Sequence, residues 1–303
     1  MEYLCYYQPL SKRVSIPKMN INFVPKVAII FPNYNGGDQP LECIHSIQAL
    51  NYPKDKLEII VVDNNSTDGS LEKLKVLRQR RIRLGRKSVN LKIIENKENV
   101  GFARAINQGI REAQGEYIFI ANDDIVFEKE SLKNLIEYAK QHPNAGIVGG
   151  KIFSKNKPTQ VISCGYKMNK WTGNVYPTLD SNRVSEPDWV QGCAMLVPRT
   201  VIQKIGTLDE NFSLIYFEDF DLCFRAKKAG YSIACLPSAH FWHGQSITMD
   251  KDLPHKYYQW YKNKIRFCLK NLSYINVISI LSLQLFFVTP YRTLALRDGR
   301  FIP

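Results

Sequence analysis

The sequence predicts an α/β protein built on a doubly wound, mostly parallel sheet flanked by helices, and three observations predict it. Short, nearly continuous apolar runs recur at 27–31 (VAIIF), 57–62 (LEIIVV) and 116–121 (EYIFIA), the pattern of parallel strands covered on both faces. Helix-like segments at 41–50, 70–77 and 102–113 fall between them, giving the strand–helix alternation of a parallel sheet. All three runs stop at clusters of Asn and Asp, residues that turn a chain and cap a helix.

Residues 1–26 are aromatic and basic without a period and read as an extension before the first strand. Ser66, Thr67 and Asp68 are capping candidates for the helix at 70–77. A helix from Ser131 to about His142 stops before Pro143, and AGIVGG (145–150) follows as a strand. Residues 151–188 are rich in turn formers and read as short strands and loops, before a strand at 190–197 and a helix at 198–205. The expected division is a domain at 27–250, with halves at about 27–130 and 131–250, and a helical tail at 251–303. In that tail the apolar stretch 275–288 contains Asn276, Ser279, Ser282 and Gln284 and ends before Pro290, so it is short and polar for a spanning helix. A packed or interfacial helix is expected. The basic residues of 251–270 beside it favour an anionic leaflet, so peripheral membrane contact is expected too.

At 303 residues and 45% hydrophobic the chain can bury a full core, which excludes disorder as the default. Its net charge of +13 calls for an anionic partner. Part of the excess is the run Arg78, Arg80, Arg81, Arg83, Arg86 and Lys87, read as a solvated loop; no nucleic-acid module accompanies it, and nucleic acid is not expected as a partner. Seven cysteines form no CxxC pair and have no zinc-site spacing, so they read as buried thiols in a reducing compartment. No apolar leader with a cleavage site opens the sequence, and a cytoplasmic active site is expected.

Ligands of open α/β sheets bind at the carboxyl ends of the strands. Three polar clusters gather at that edge: Pro32-Asn33-Tyr34-Asn35, Asp63-Asn64-Asn65-Ser66-Thr67-Asp68 and Asn122-Asp123-Asp124. The dinucleotide fingerprint GxGxxG and the phosphate loop GxxxxGK[ST] are both absent. An aromatic face at Tyr34 can stack a base, carboxylates can accept from a base or a ribose, and Asn122-Asp123-Asp124 has the oxygen donors of a Mg²⁺ or Mn²⁺ site. A nucleotide with a metal-bound diphosphate satisfies all three clusters.

The strings VAIIFPNYNG, IIVVDNNSTDGS, NVGFARAINQGI, FIANDDIVF, VQGCAMLVPR, IGTLDENF, FEDFDLCFRAKKAGY and HFWHGQS, in this order, resemble glycosyltransferase family 2, whose fold is the Rossmann-like GT-A type. The match covers roughly 27–270 and is most similar to the rhamnosyltransferase-like branch. The resemblance implies a nucleotide-sugar half before residue 131 and an acceptor half after it. It implies that Tyr34, Asn35, Asp63, Gly101, Asn107 and Asp123 bind or flank the donor nucleotide. Asp124 matches the last acid of the DxD metal motif, with Asn122 replacing the first, and His243 matches a further metal contact. Glu218 and Asp219 match the ED motif, whose second acid is the base; Gly192 and Asp221 fall by the acceptor and donor sugar. Structural roles stay open at several of these: helix opening for Gly101, close strand packing for Gly192, and an ion pair with Arg225 for the 218–221 acids.

The implied reaction is metal-dependent transfer, with inversion, from a nucleotide-diphosphate sugar (dTDP-rhamnose or another dTDP- or UDP-sugar) to a hydroxyl of a glycan or lipid-linked glycan, in polysaccharide or cell-envelope synthesis. Inversion needs a carboxylate to take the acceptor's proton and a cation to neutralise the departing diphosphate, which are the residue types present. A glycosidase needs in addition an acid for an alkoxide leaving group. A sugar-nucleotide nucleotidyltransferase is the main alternative, but NYNGGDQP lacks the basic residues its first loop requires.

Overall fold

The computed structural model describes residues 23–84, 88–179, 182–212, 214, 216–244 and 253–288. Outside them lie most of the N-terminal extension, residues 85–87 of the basic run, Gln245 and Ser246 of the last motif, residues 251–252 and the tail beyond 288.

Strands β1 (Val27–Asn33), β2 (Leu57–Asp63) and β4 (Tyr117–Ala121) form where the apolar runs stand. Alternate residues feed opposite faces: Ile29, Phe31, Ile59 and Val61 enter one core cluster, Ile30, Ile60, Val62 and Ile118 the other. Each such side chain contributes about 1.5–3 kcal/mol on burial, which is why the runs carry no polar face. Helices α1 (Gln39–Gln48), α2 (Ser70–Leu84) and α3 (Phe102–Glu112) cross between them. The second runs past residue 77 because LRQRRIRL offers good helix formers and no Gly or Pro before Gly85, so 78–84 is helix rather than loop. Strand β3 (Asn90–Glu95) escaped the sequence reading; it is the edge partner of β2 and half its residues reach solvent, so it has no continuous apolar run.

The second half adds β5 (Ile125–Phe127), α4 (Ser131–Gln141), β6 (Ala145–Ser154), the short strands β7 (Val161–Ser163), β8 (Tyr166–Met168) and β9 (Val175–Pro177), β10 (Ala194–Pro198), α5 (Arg199–Ile205), α6 (Glu218–Lys228) and β11 (Ser232–His243). Strand β10 starts later than 190 because a turn closes from Ala194 N–H to the Gln191 carbonyl. The main sheet has the order β3-β2-β1-β4-β10-β6-β11-β5. Its first four strands are parallel; β10 runs antiparallel to both β4 and β6, and β11 is parallel to β6. This polarity brings the carboxyl ends of β1, β2, β4 and β11 and the amino end of β10 to one edge.

Helices α7 (Leu253–Asn271) and α8 (Tyr274–Leu283), continued by a π-helical turn (Gln284–Val288), close the described chain. Their inner face supplies Phe267, Cys268, Val277 and Ile280 to a third core cluster with Phe212, Phe217 and Phe220. Their outer face leaves Leu269, Ile275, Ile278 and Leu285 between 62% and 64% exposed. Among the described residues no helix is long and apolar enough to cross a membrane.

Candidate active site

A cavity of about 550 Å³ opens at the shared sheet edge. Tyr34, Gly101, Asp123, Asp124, Gly192, Glu218, Asp219 and His243 line it, whereas Asn35, Asp63, Asn107 and Asp221 stand behind its wall.

Behind the polar end, buried Asp63 accepts from Asn33 Nδ2 (2.6 Å) and from Ser66 N–H (3.0 Å), tying the ends of β1 and β2 together. Asn35, at φ 54°, accepts from Thr67 N–H at 2.8 Å and fixes the first loop on the second. Tyr34 is left 41% exposed at the rim, with a ring face available for stacking. Asn64 and Asn99, joined at 3.2 Å, add amide groups to this end. Gly101, at φ 82°, is the N-cap of α3, and a Cβ there would stand 3.1 Å from Leu214 Cα. The glycine thus serves both backbone conformation and close approach. Asn107 faces away from the cavity: its amide donates to the Leu208 carbonyl and Glu210 and accepts from Leu208 N–H, clamping the 208–210 segment to α3.

At the end of β4, His243 Nε2 lies 3.1 Å from Asn122 Nδ2 and 3.2 Å from Asp124 Oδ1. One imidazole nitrogen cannot accept from the amide and donate to the carboxylate at once. With Asn122 donating, Asp124 Oδ1 is a buried acceptor that no hydrogen bond satisfies. A divalent cation held by Asp124 and His243 would satisfy that carboxylate oxygen, with Nε2 serving as a nitrogen donor in place of its contact to Asn122. The donor set fits a hard divalent ion completed by substrate phosphates; among the described residues no group of three His, Cys, Asp or Glu side chains gathers to hold one alone. Burial and the neighbouring Asp124 push the Asp123 carboxyl up to about 8.

Glu218 and Asp219 open α6, after Leu214, Tyr216 and Phe217 in left-handed backbone conformations (φ 60°, 79° and 71°). Such conformations are strained for these residues and aim the helix start into the cavity. Asp219 Oδ2 accepts from Gly192 N–H at 2.9 Å and Oδ1 from Phe220 N–H at 2.7 Å. Burial raises its pKa against the pull of these bonds. Glu218 is raised well above the usual range by burial and then by the Asp219 charge, and its Oε2 has no partner. Gly192 packs under Asp219, whose Cβ would meet an added methyl at 3.2 Å. Asp221 points the other way: it is fully buried against Arg225 (2.8 Å), Lys270 (2.9 Å) and Asn271 (2.9 Å) and holds α7 on α6.

The sequence reading did not single out Tyr166, Trp189 and Trp260, which also line the cavity. They come from β8, a loop and α7, segments whose convergence no local pattern announces.

The model of glycosyl transferase family 2 matches residues 28–203, more than half of the chain, and that of glycosyl transferase family group 2 matches residues 117–297. An uncharacterized glycosyltransferase of Rickettsia prowazekii (strain Madrid E) is 31% identical over 218 residues, 69% of this chain and 60% of that relative. The chain spans 59% of its Rickettsia typhi counterpart. An N-acetylglucosaminyl-diphospho-decaprenol L-rhamnosyltransferase of Mycobacterium tuberculosis is 25% identical over 223 residues, 65% of this chain and 69% of that relative. Among solved structures, a mannosyltransferase from Pyrobaculum calidifontis in complex with GDP-Man and Mn²⁺ superposes with a TM-score of 0.64 at 18% identity, covering 92% of this chain and 76% of its own.

Proposed function

Because the chain belongs to glycosyltransferase family 2, we propose that its cavity transfers a sugar, with inversion, from a nucleotide-diphosphate donor to an acceptor hydroxyl. The observation that carries this reading is that Asp124, His243 and Asp219 share one cavity with the Tyr34 and Asn64 loops. In it, Tyr34 stacks the base, and Asn64, Asn99 and Asp123 bind the nucleoside. Asp63, Asn35 and Asn107 act one layer back, by fixing the loops and the 208–210 segment. Asp124 and His243 hold Mn²⁺ or Mg²⁺, with Asn122 beside them. When bound, such an ion neutralises charge on the departing diphosphate. Asp219 takes the acceptor's proton, and Gly192 keeps its carboxylate in place through the backbone N–H.

The mycobacterial relative, by name an L-rhamnosyltransferase for N-acetylglucosaminyl-diphospho-decaprenol, supports rhamnose as the first sugar to try and a lipid-linked glycan as acceptor; a dTDP- or UDP-linked donor and a place in envelope synthesis complete our reading. The exposed apolar face of α7 and α8 favours work at the membrane surface. A panel of dTDP- and UDP-sugars, with nucleoside diphosphate release as readout, tests the reaction. Asp124→Ala and EDTA are each expected to abolish release that Mn²⁺ or Mg²⁺ supports. Pyrophosphate release instead would mark a nucleotidyltransferase, and full activity in EDTA would remove the metal.

A further inference from the structure

The hairpin of β8 and β9 carries large apolar side chains on its outside. Trp171 at its tip is 55% exposed and Tyr176 on β9 is 52% exposed. The tip is nevertheless tightly built: Asn169 Oδ1 accepts from the N–H groups of Trp171 (2.9 Å) and Thr172 (3.1 Å), and Gly173 N–H donates to the Asn169 carbonyl at 2.8 Å. It is also seated on α8. Ser279 Oγ donates to the Trp171 carbonyl at 2.9 Å, and a Cβ on Gly173 would stand 3.2 Å from Ile280 Cγ2. Ser279 lies one step, about 100°, round the helix from Ile278, so the tip flanks the exposed stripe of Ile275, Ile278 and Leu285. A backbone held this firmly with its indole left in solvent suits an external contact, since little ordering opposes covering it.

Charge decides what covers this surface. Residues 166–177 and 257–288 contain no Asp or Glu, and Lys167, Lys170, Lys262 and Arg266 are exposed on them. The ammonium groups of Lys170 and Lys228 gather at one ring, 5.8 and 5.3 Å from the Phe224 centroid. A second copy of the same cationic face is repelled, whereas an anionic leaflet is attracted. Trp and Tyr beside Lys are also the residue types that settle at the headgroup level of a bilayer. We propose that the β8–β9 hairpin is a second membrane contact beside α8, with Trp171 in the interface and Lys170 and Lys228 at anionic headgroups; this rests on the membrane reading of α7 and α8 above. Tyr166, at the root of the hairpin, lines the cavity, so the contact holds the cavity rim at the leaflet.

The experiment binds the full chain to phosphatidylcholine vesicles with and without phosphatidylglycerol, and repeats this with brominated phosphatidylcholine, which quenches tryptophan emission on contact. Bound wild type is expected to be quenched, and Trp171→Phe to bind nearly as well while losing most of the quenching. Trp171→Ser is expected to bind ~5-fold or more weakly, with nucleotide affinity by calorimetry unchanged. Lys170→Gln with Lys228→Gln is expected to narrow the gap between anionic and neutral vesicles; an undiminished gap overturns the headgroup contact. Trp171 variants that keep full binding and full quenching overturn the hairpin contact, and leave the α8 reading standing where Ile278→Ser with Leu285→Ser still weakens binding. A wild type that no vesicle retains overturns both. A change of oligomeric state in Trp171→Ser also overturns the proposal and gives the face to a second copy.

Discussion

Glu218 and Asp219 are adjacent carboxyls in unlike surroundings. Two backbone N–H groups stabilise the charged form of Asp219, while Glu218 Oε2 is buried without a donor, so a proton shared by the pair resides on Glu218. Asp219 is then the ionised member, as the base of the proposed reaction must be. Asp219→Asn is expected to lose at least ~100-fold in turnover with donor affinity kept, whereas Glu218→Gln, which copies a neutral acid, is expected to stay within ~3-fold of wild type. Because burial raises the Asp219 pKa, turnover should fall as pH drops through a value above the ordinary Asp range, where protonation removes the base. The opposite ranking of the two variants moves the base to Glu218. The motif strings singled out Asp124, Asp219 and His243, which line the cavity. They put Asp221 by the sugars, whereas two steps along a helix from Asp219 turn a side chain by about 200°, here toward Arg225 and Lys270. They could not show that Asn107 grips Leu208, a partner 101 positions away.

Helix α7 serves the domain with one face and leaves Tyr258, Ile265 and Leu269 exposed on another. Its inner Phe267 stacks on Phe220 (4.2 Å, 13°) directly behind Asp219, and Asn263 Nδ2 donates to the Tyr216 carbonyl at 3.1 Å, so the tail buttresses the start of α6. Helicity and an apolar stretch were readable in this tail; the buttress was not, because its partners are the aromatics at 216–220. The outer face, continued by Ile275, Ile278 and Leu285, fits shallow insertion into a bilayer interface. The full chain is expected to float with phosphatidylglycerol-containing vesicles more than with neutral ones. The pair Ile278→Ser and Leu285→Ser should weaken that binding by ~10-fold or more without changing nucleotide affinity. If neither kind of vesicle retains the wild type, the face belongs to a protein contact instead.

At the scale of the molecule, the main sheet runs without a break from β3 through β4 and β10 to β5, so the donor and acceptor halves read from the sequence share strand pairing and both core clusters. Strands β1, β2 and β4 of the parallel half were legible because they are buried along their length, whereas the half-exposed edge strand β3 was not. The insertion of β10 between β4 and β6 was not, because a strand's neighbours are set by long-range pairing rather than by its own residues. A continuous sheet makes two independently melting halves unfavourable, since separating them strips β4 and β10 of their mutual hydrogen bonds. Calorimetry is therefore expected to give one cooperative transition for the residues of the sheet. Nucleotide with Mn²⁺ binds loops from both halves in the proposed site, so it should move that whole transition. At a hundred times Kd the linkage is about 2.7 kcal/mol, which for a chain of this size raises Tm by about 4 °C. Asp124→Ala should remove most of the Mn²⁺-dependent part of the shift while leaving the transition single. Two resolved transitions, with only the earlier or later one moved by nucleotide, would mean that the halves fold separately and that the ligand is held by one of them alone.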